Sequence, residues 1–155
     1  MAQATVAQLT EELVSLAKSV PSIGIRGFSV FNVEDLETIA GHVGFPLAGV
    51  SYEGGTPQEH SVKPKASGFK AATIVTLHFL LTVGTNYKYA SDIDSKPVAT
   101  DLLDEVRKVV IGYKGINNRP WRYTGEIPLS SDIEGVIFYG QMWETDIPVI
   151  GNSPN

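Results

Sequence analysis

One stretch limits what this chain can fold into more than any other: Ala71 to Tyr87, AATIVTLHFLLTVGTNY. Across its middle it alternates with period two. Val75, Leu77, Phe79, Leu81 and Val83 fall on one side, and Ile74, Thr76, His78, Leu80 and Thr82 on the other. The first side is wholly apolar and the second is mixed. The stretch therefore reads as a central strand, packed on helices along one face and partly covered or wetted on the other. At the usual rise, Ala72 to Val83 would reach about 40 Å, long beside a common strand of about 5–6 residues. Such a strand needs long neighbours, or it must reach beyond its own domain.

Two helices can supply the cover. Val6, Leu9, Leu13, Leu16, Ala17 and Val20 recur at helical spacing, with Thr5 and Gln8 placed as a capping box and Pro21 as a stop. Glu11 and Glu12 suit the early, positive end of that helix. Val98, Leu102, Leu103, Val106, Val109 and Val110 form a second stripe, acidic at its start and basic at its end, with Gly112 and Gly115 at its exit. A brief helix capped by Asn32 is expected over Leu36, Ile39, Ala40 and Val43.

Strands fill the remainder. Ile23, Ile25, Phe28 and Val30 alternate around Gly24 and Gly27, which predicts a kinked short strand. Phe45 to Tyr52 predicts another. Glu53 to Gly68 lacks apolar periodicity and reads as a long hairpin tip leading into the central strand. Asn86 to Pro97 is a polar crossing that contains Asp92 and Asp94. The aromatic segments around Trp121, Tyr123, Phe138, Tyr139 and Trp143, joined by SSDIEG, predict a closing hairpin. The expected class is α+β, a mainly antiparallel sheet with two principal helices packed on it, as a single domain over 1–147 with a flexible end over 148–155.

Composition narrows function. The 155 residues carry a net charge of −5 and no cysteine. An acidic chain whose basic residues are sparse does not grip nucleic acid by counterion release. Without cysteine there is neither a disulfide nor thiolate chemistry. The N-terminus shows no basic and apolar leader pattern, and no run approaches a membrane span, so a soluble, cytoplasmically made protein is expected, with no membrane partner.

Catalytic signatures are missing. His42, His60 and His78 have no metal-ligand spacing, phosphate-binding glycine motifs are absent, and Asp92 and Asp94 lack the rest of a calcium loop. His78 reads as a half-buried structural histidine. Glu126, Glu134, Glu144 and Asp146 gather in the closing hairpin, where solvent-face charges guarding an edge strand are the simplest account. A small hydrolase using Glu126 and Glu144, or a ligand-binding module with a closed apolar pocket, are the rival classes. No metal site, cofactor or catalytic residue is expected.

Three local patterns, together with the element order, resemble the tail terminator proteins of tailed bacteriophages. They are Phe45-Pro46-Leu47-Ala48-Gly49-Val50 followed by Tyr52, Glu53 and Gly54; the helix Pro97 to Gly112 followed by Trp121-Arg122-Tyr123-Thr124-Gly125-Glu126; and Gly135-Val136-Ile137-Phe138-Tyr139-Gly140-Gln141-Met142-Trp143. The resemblance implies a structural virion protein, six copies of which form a ring at the head-proximal end of the tail tube. That ring would cap the tube protein and meet the neck and head-completion proteins, while DNA passes through without specific binding. Another neck, connector or sheath-associated protein is the nearby alternative. The resemblance brings no catalytic residue or cofactor. Contacts with neighbours are expected from the loop Gly54 to Gly68 and the aromatic hairpin, through Gly54, Gly55, Lys63, Lys65, Arg119, Trp121, Arg122 and Trp143, with core packing as the other reading of the two tryptophans.

Overall fold

A computed structural model describes residues 3–58, 72–86 and 95–150. The elements run α1 (Val6–Lys18), β1 (Gly27–Ser29), α2 (Val33–Val43), β2 (Leu47–Pro57), β3 (Ala72–Asn86), α3 (Ser95–Val110), β4 (Arg122–Leu129) and β5 (Val136–Ile150). This is the expected α+β order. Among the described residues, five strands form one mixed sheet in the order β1-β2-β3-β5-β4. Only β1 and β2 are parallel; the other three pairings are antiparallel.

The long stretch is the middle strand. All 15 residues of β3 pair with β5, from Ala72 opposite Ile150 to Asn86 opposite Val136. Opposed residues share a face, so Val75, Leu77, Phe79, Leu81 and Val83 lie with Ile147, Thr145, Trp143, Gln141 and Tyr139. Leu102, Leu103, Val106 and Val110 of α3 pack on that face, as their spacing predicts. Leu9, Leu13 and Ala17 of α1 share it. Each large side chain buried there contributes about 1.5–3 kcal/mol, so the two helices and the inner strands form the stability centre.

The helix ends follow their sequence signals. Thr5 and Gln8 exchange the two bonds of a capping box, and Asn32 and Asp35 do the same for α2. Gly112, at φ +72°, follows α3. Among the described residues, the opposite face of the sheet is covered at one end, where Leu36 and Ala40 of α2 meet Leu47, Val136 and Phe138.

Four expectations need correction. The predicted strand from Ile23 to Val30 shrinks to Gly27–Ser29. Backbone amides of Ile23 and Gly24 both donate to Val20 O, and Gly24 takes φ +51°, so the chain leaves α1 through turns instead of extending. The hairpin tip does not open at Glu53, since β2 continues to Pro57; the tip residues 59–71 lie outside the described residues, as does 87–94 of the polar crossing. The C-terminal end does not leave the sheet at 148, because Pro148, Val149 and Ile150 pair with Ile74, Thr73 and Ala72. Finally, Glu11 and Glu12 lie beyond the first turn of α1, where neither complements its dipole.

Candidate functional site

The sheet face left open by α2 is where polar groups gather. Thr76 pairs with Asp146, His78 with Glu144 and Leu80 with Met142 across β3 and β5; Arg122 of β4 lies opposite Glu144. Thr56 and Gly54 of β2 lie opposite Thr76 and His78. Period two puts all of these on one face.

Two β-bulges decide which residues reach it. Register slips between Tyr52 and Gly54, and again between Tyr123 and Gly125, leaving Glu53 and Thr124 as the extra residues. Each bulge reverses the alternation beyond it. Arg122 and Glu126 are four apart and would share a face in a regular strand. Instead Arg122 opposes Glu144 on the open face, and Glu126 opposes Gln141 on the helix face. The Glu126 and Glu144 pair that a hydrolase would need is therefore split between opposite sides of the sheet.

On the helix side, Arg107 Nη1 donates to Glu126 Oε1 at 3.1 Å, and buried Gln141 donates to Glu126 Oε1 and to Leu103 O, both at 3.0 Å. Trp143 Nε1 donates to Gln141 Oε1 at 3.2 Å. This network ties α3 to the sheet.

On the open side, Arg122 grips Asp146 with both terminal nitrogens at 2.8 Å and donates from Nε to Glu144 Oε1 at 3.1 Å. Thr76 Oγ1 donates to Asp146 Oδ1 at 2.8 Å. Chiefly through the Arg122 bonds, the Asp146 carboxyl is held below its ordinary range. His78 bridges Thr56 Oγ1, 3.0 Å from Nε2, and Glu144 Oε2, 3.5 Å from Nδ1. A hydroxyl, an imidazole and a carboxylate thus stand in line. Glu144 is shared with Arg122, however, and Thr56 does not line the adjoining cavity, so the line braces three strands together. The expectation of solvent-face guard charges is corrected for Glu126, Glu144 and Asp146, which are partly buried and ion-paired.

Beside this network lies a cavity of about 310 Å³, lined by Glu53, His78, Leu80, Thr124, Ile127 and Met142, with Phe79 and Trp143 at its base. Its wall is largely apolar and its rim is acidic. Among the described residues, no cluster of three or more histidines and carboxylates is placed to hold a metal ion, and no helix is long and apolar enough to cross a membrane.

The residues expected at an interface are scattered. Trp121 and Trp143 are corrected: each is 1% exposed, inside the core, where Trp121 meets Phe79 edge-on at 5.3 Å and Trp143 meets Tyr123 at 5.4 Å. Arg122 belongs to the open-face network, with its side chain 38% exposed. Gly54 and Gly55 sit in β2, Arg119 is exposed in the loop before β4, and Lys63 and Lys65 lie outside the described residues. Sequence reasoning did not single out Glu53, Leu80, Ile127 and Met142 as one site. The alternation of β3 marks the face of Leu80, but the two bulges that bring in Glu53 and Ile127 have no sequence mark. The sequence matches no protein-family model and no curated protein.

Proposed function

We propose that this chain is a tail terminator subunit of a tailed bacteriophage: a virion protein that closes the head-proximal end of the tail tube as a six-membered ring. The observation that carries the reading is the α-β-α-β-β-α-β-β order on one sheet, joined to the three sequence patterns that resemble that family. An unequal pair of surfaces supports it further. Ile111, Tyr113 and Ile116 are exposed on the helix side, and an apolar cavity opens on the other. Two different surfaces suit the head-to-tail contacts of a ring. The net charge of −5 suits a lumen through which DNA slides.

In this reading one side of the ring meets the tube protein and the other the neck and head-completion proteins. Light scattering after size-exclusion chromatography, with negative-stain images of the chain mixed with purified tube protein, tests it. Closed rings seated on tube ends are expected. A strict monomer that ignores tube ends overturns the proposal, and rings that bind the portal assembly but not tubes replace it with a neck or connector role.

A further inference from the structure

The loop between α3 and β4 is rigid, apolar and basic. Gly112 N donates to Trp121 O, Trp121 N to Tyr113 O, and Gly115 N to Arg119 O, each at 3.1 Å, which folds the loop into a small ladder. Two anchors hold it on the helix side of the sheet. Glu12 accepts from Ile116 N at 2.8 Å, and Asn117 Nδ2 donates to Thr145 Oγ1 and Asp146 O, both at 2.8 Å. Despite this ordering, Ile111 is 55% and Ile116 57% exposed, with Tyr113 beside them. Between Arg107 and Gly125 the chain has no acidic residue, and Lys108, Lys114 and Arg119 are all exposed. Large apolar groups held rigidly in water mark a binding surface, because little ordering entropy remains to be lost on contact.

The cavity on the open sheet face is its complement in both respects. Leu80, Ile127 and Met142 give an apolar wall, and Glu53 stands at its rim. Among the described residues, Glu144 and Asp146 stand next to this wall, both ion-paired with the single cation Arg122, so with Glu53 the face carries more negative than positive charge. The loop and the cavity lie on opposite faces of one sheet, so a subunit cannot bring its own two surfaces together.

We propose that the 111–119 loop of one copy seats in the open-face cavity of the next, so that a second copy of this chain is the occupant. The inference rests on the reading of the chain as a ring subunit and names the contact that closes it. Opposite charge steers and registers the contact, and apolar burial holds it.

Two variants separate the surfaces. Lys114→Glu with Arg119→Glu reverses the loop, and Thr124→Lys with Ile127→Lys makes the cavity rim basic. All four positions are exposed, and circular dichroism checks the fold of each variant. Light scattering is expected to find each variant monomeric where the unmodified chain assembles, and a 1:1 mixture is expected to associate again, since each partner keeps one native surface. A single variant that assembles as well as the unmodified chain overturns the inference, as does a mixture that stays monomeric. The unmodified assembly should also weaken as salt rises toward about 0.5 M, where screening shortens to a few ångströms; assembly indifferent to salt counts against the contact. If the unmodified chain never assembles, the ring reading fails first. If it forms rings and a variant loses only tube binding, the cavity belongs to the tube protein and this inference fails alone.

Discussion

Glu12 Oε1 accepts the indole hydrogen of Trp121 at 2.8 Å, joining residues 109 apart in the chain. The same carboxylate takes the amide of Ile116 through its other oxygen. Trp121 is buried, so losing Glu12 takes away the protein acceptor of its N–H. Glu12→Ala should cost about 1–3 kcal/mol, the range for orphaning buried donors. Glu12→Gln keeps one acceptor oxygen and should recover part of that loss. Urea midpoints of the three proteins check the ranking, and equal midpoints would show the clamp to be idle.

Arg122 and Asp146 predict an acid limit. The carboxyl of Asp146 is held below its unfolded value, first by its hydrogen bonds to Arg122. The unfolded chain then binds the proton more readily than the folded one. The resulting stability is present above the unfolded value of about 3.9 and is lost as pH falls from there through the lowered folded value. Arg122→Met should lower stability at neutral pH by about 1 kcal/mol, since the pair is partly in water. The gap between variant and parent should close in that acid window. Urea midpoints at pH 7, 5 and 3 read this directly, and a gap that widens on acidification would contradict it.

How far the sequence reaches is clear from particular residues. The apolar set Val75 to Val83, the caps at Thr5 and Asn32, and the stripe Val98 to Val110 are local patterns, and each became the element it implied. What stayed hidden is set by other parts of the chain. The bulge at Thr124 adds one residue to β4 opposite β5 and moves Glu126 to the helix face. Nothing in RYTGEIPL marks that slip, because register belongs to the pair of strands. Both tryptophans look like interface anchors by type, yet Trp121 takes its place in the core from Phe79 and Glu12, which lie far off in sequence, and Trp143 packs on Tyr123 of the neighbouring strand. The site suffers most, since its cavity needs both bulges.

Gly49 and Leu36 predict a coupled pair. A Cβ on Gly49 would sit 2.6 Å from Leu36 Cδ2, and Leu36 is fully buried. Gly49→Ala should therefore push α2 off the sheet at a cost of about 1–3 kcal/mol. Leu36→Ala alone should cost about 2–5 kcal/mol by leaving a cavity. With both changes, the new methyl enters vacated space, and the double variant should be more stable than the sum of the single losses predicts. Thermal melts of the four proteins give the coupling; strict additivity would mean that the two side chains do not compete for that space.

Both outer edges of the sheet carry a bulge and a proline. Among the described residues, β1 covers Ala48 to Val50 of β2, and along the rest of that edge stand the Glu53 bulge and Pro57. Gln58 N donates to Ile74 O, so alternate residues Thr56 and Gly54 face β3 while Pro57 turns its missing N–H outward. On the other edge β4 has the Thr124 bulge and exposed Pro128. These devices oppose another strand adding in register, so a second copy should not continue the sheet as a backbone ladder. Replacing Pro57 and Pro128 with valine restores a backbone N–H at each position, outward at Pro57, and both positions are exposed. The double variant should keep its melting temperature within a few degrees, because surface changes of this kind are worth about 0.5 kcal/mol. It should also aggregate faster on concentration and gain thioflavin fluorescence. Unchanged solubility would show that the prolines are not what guards these edges.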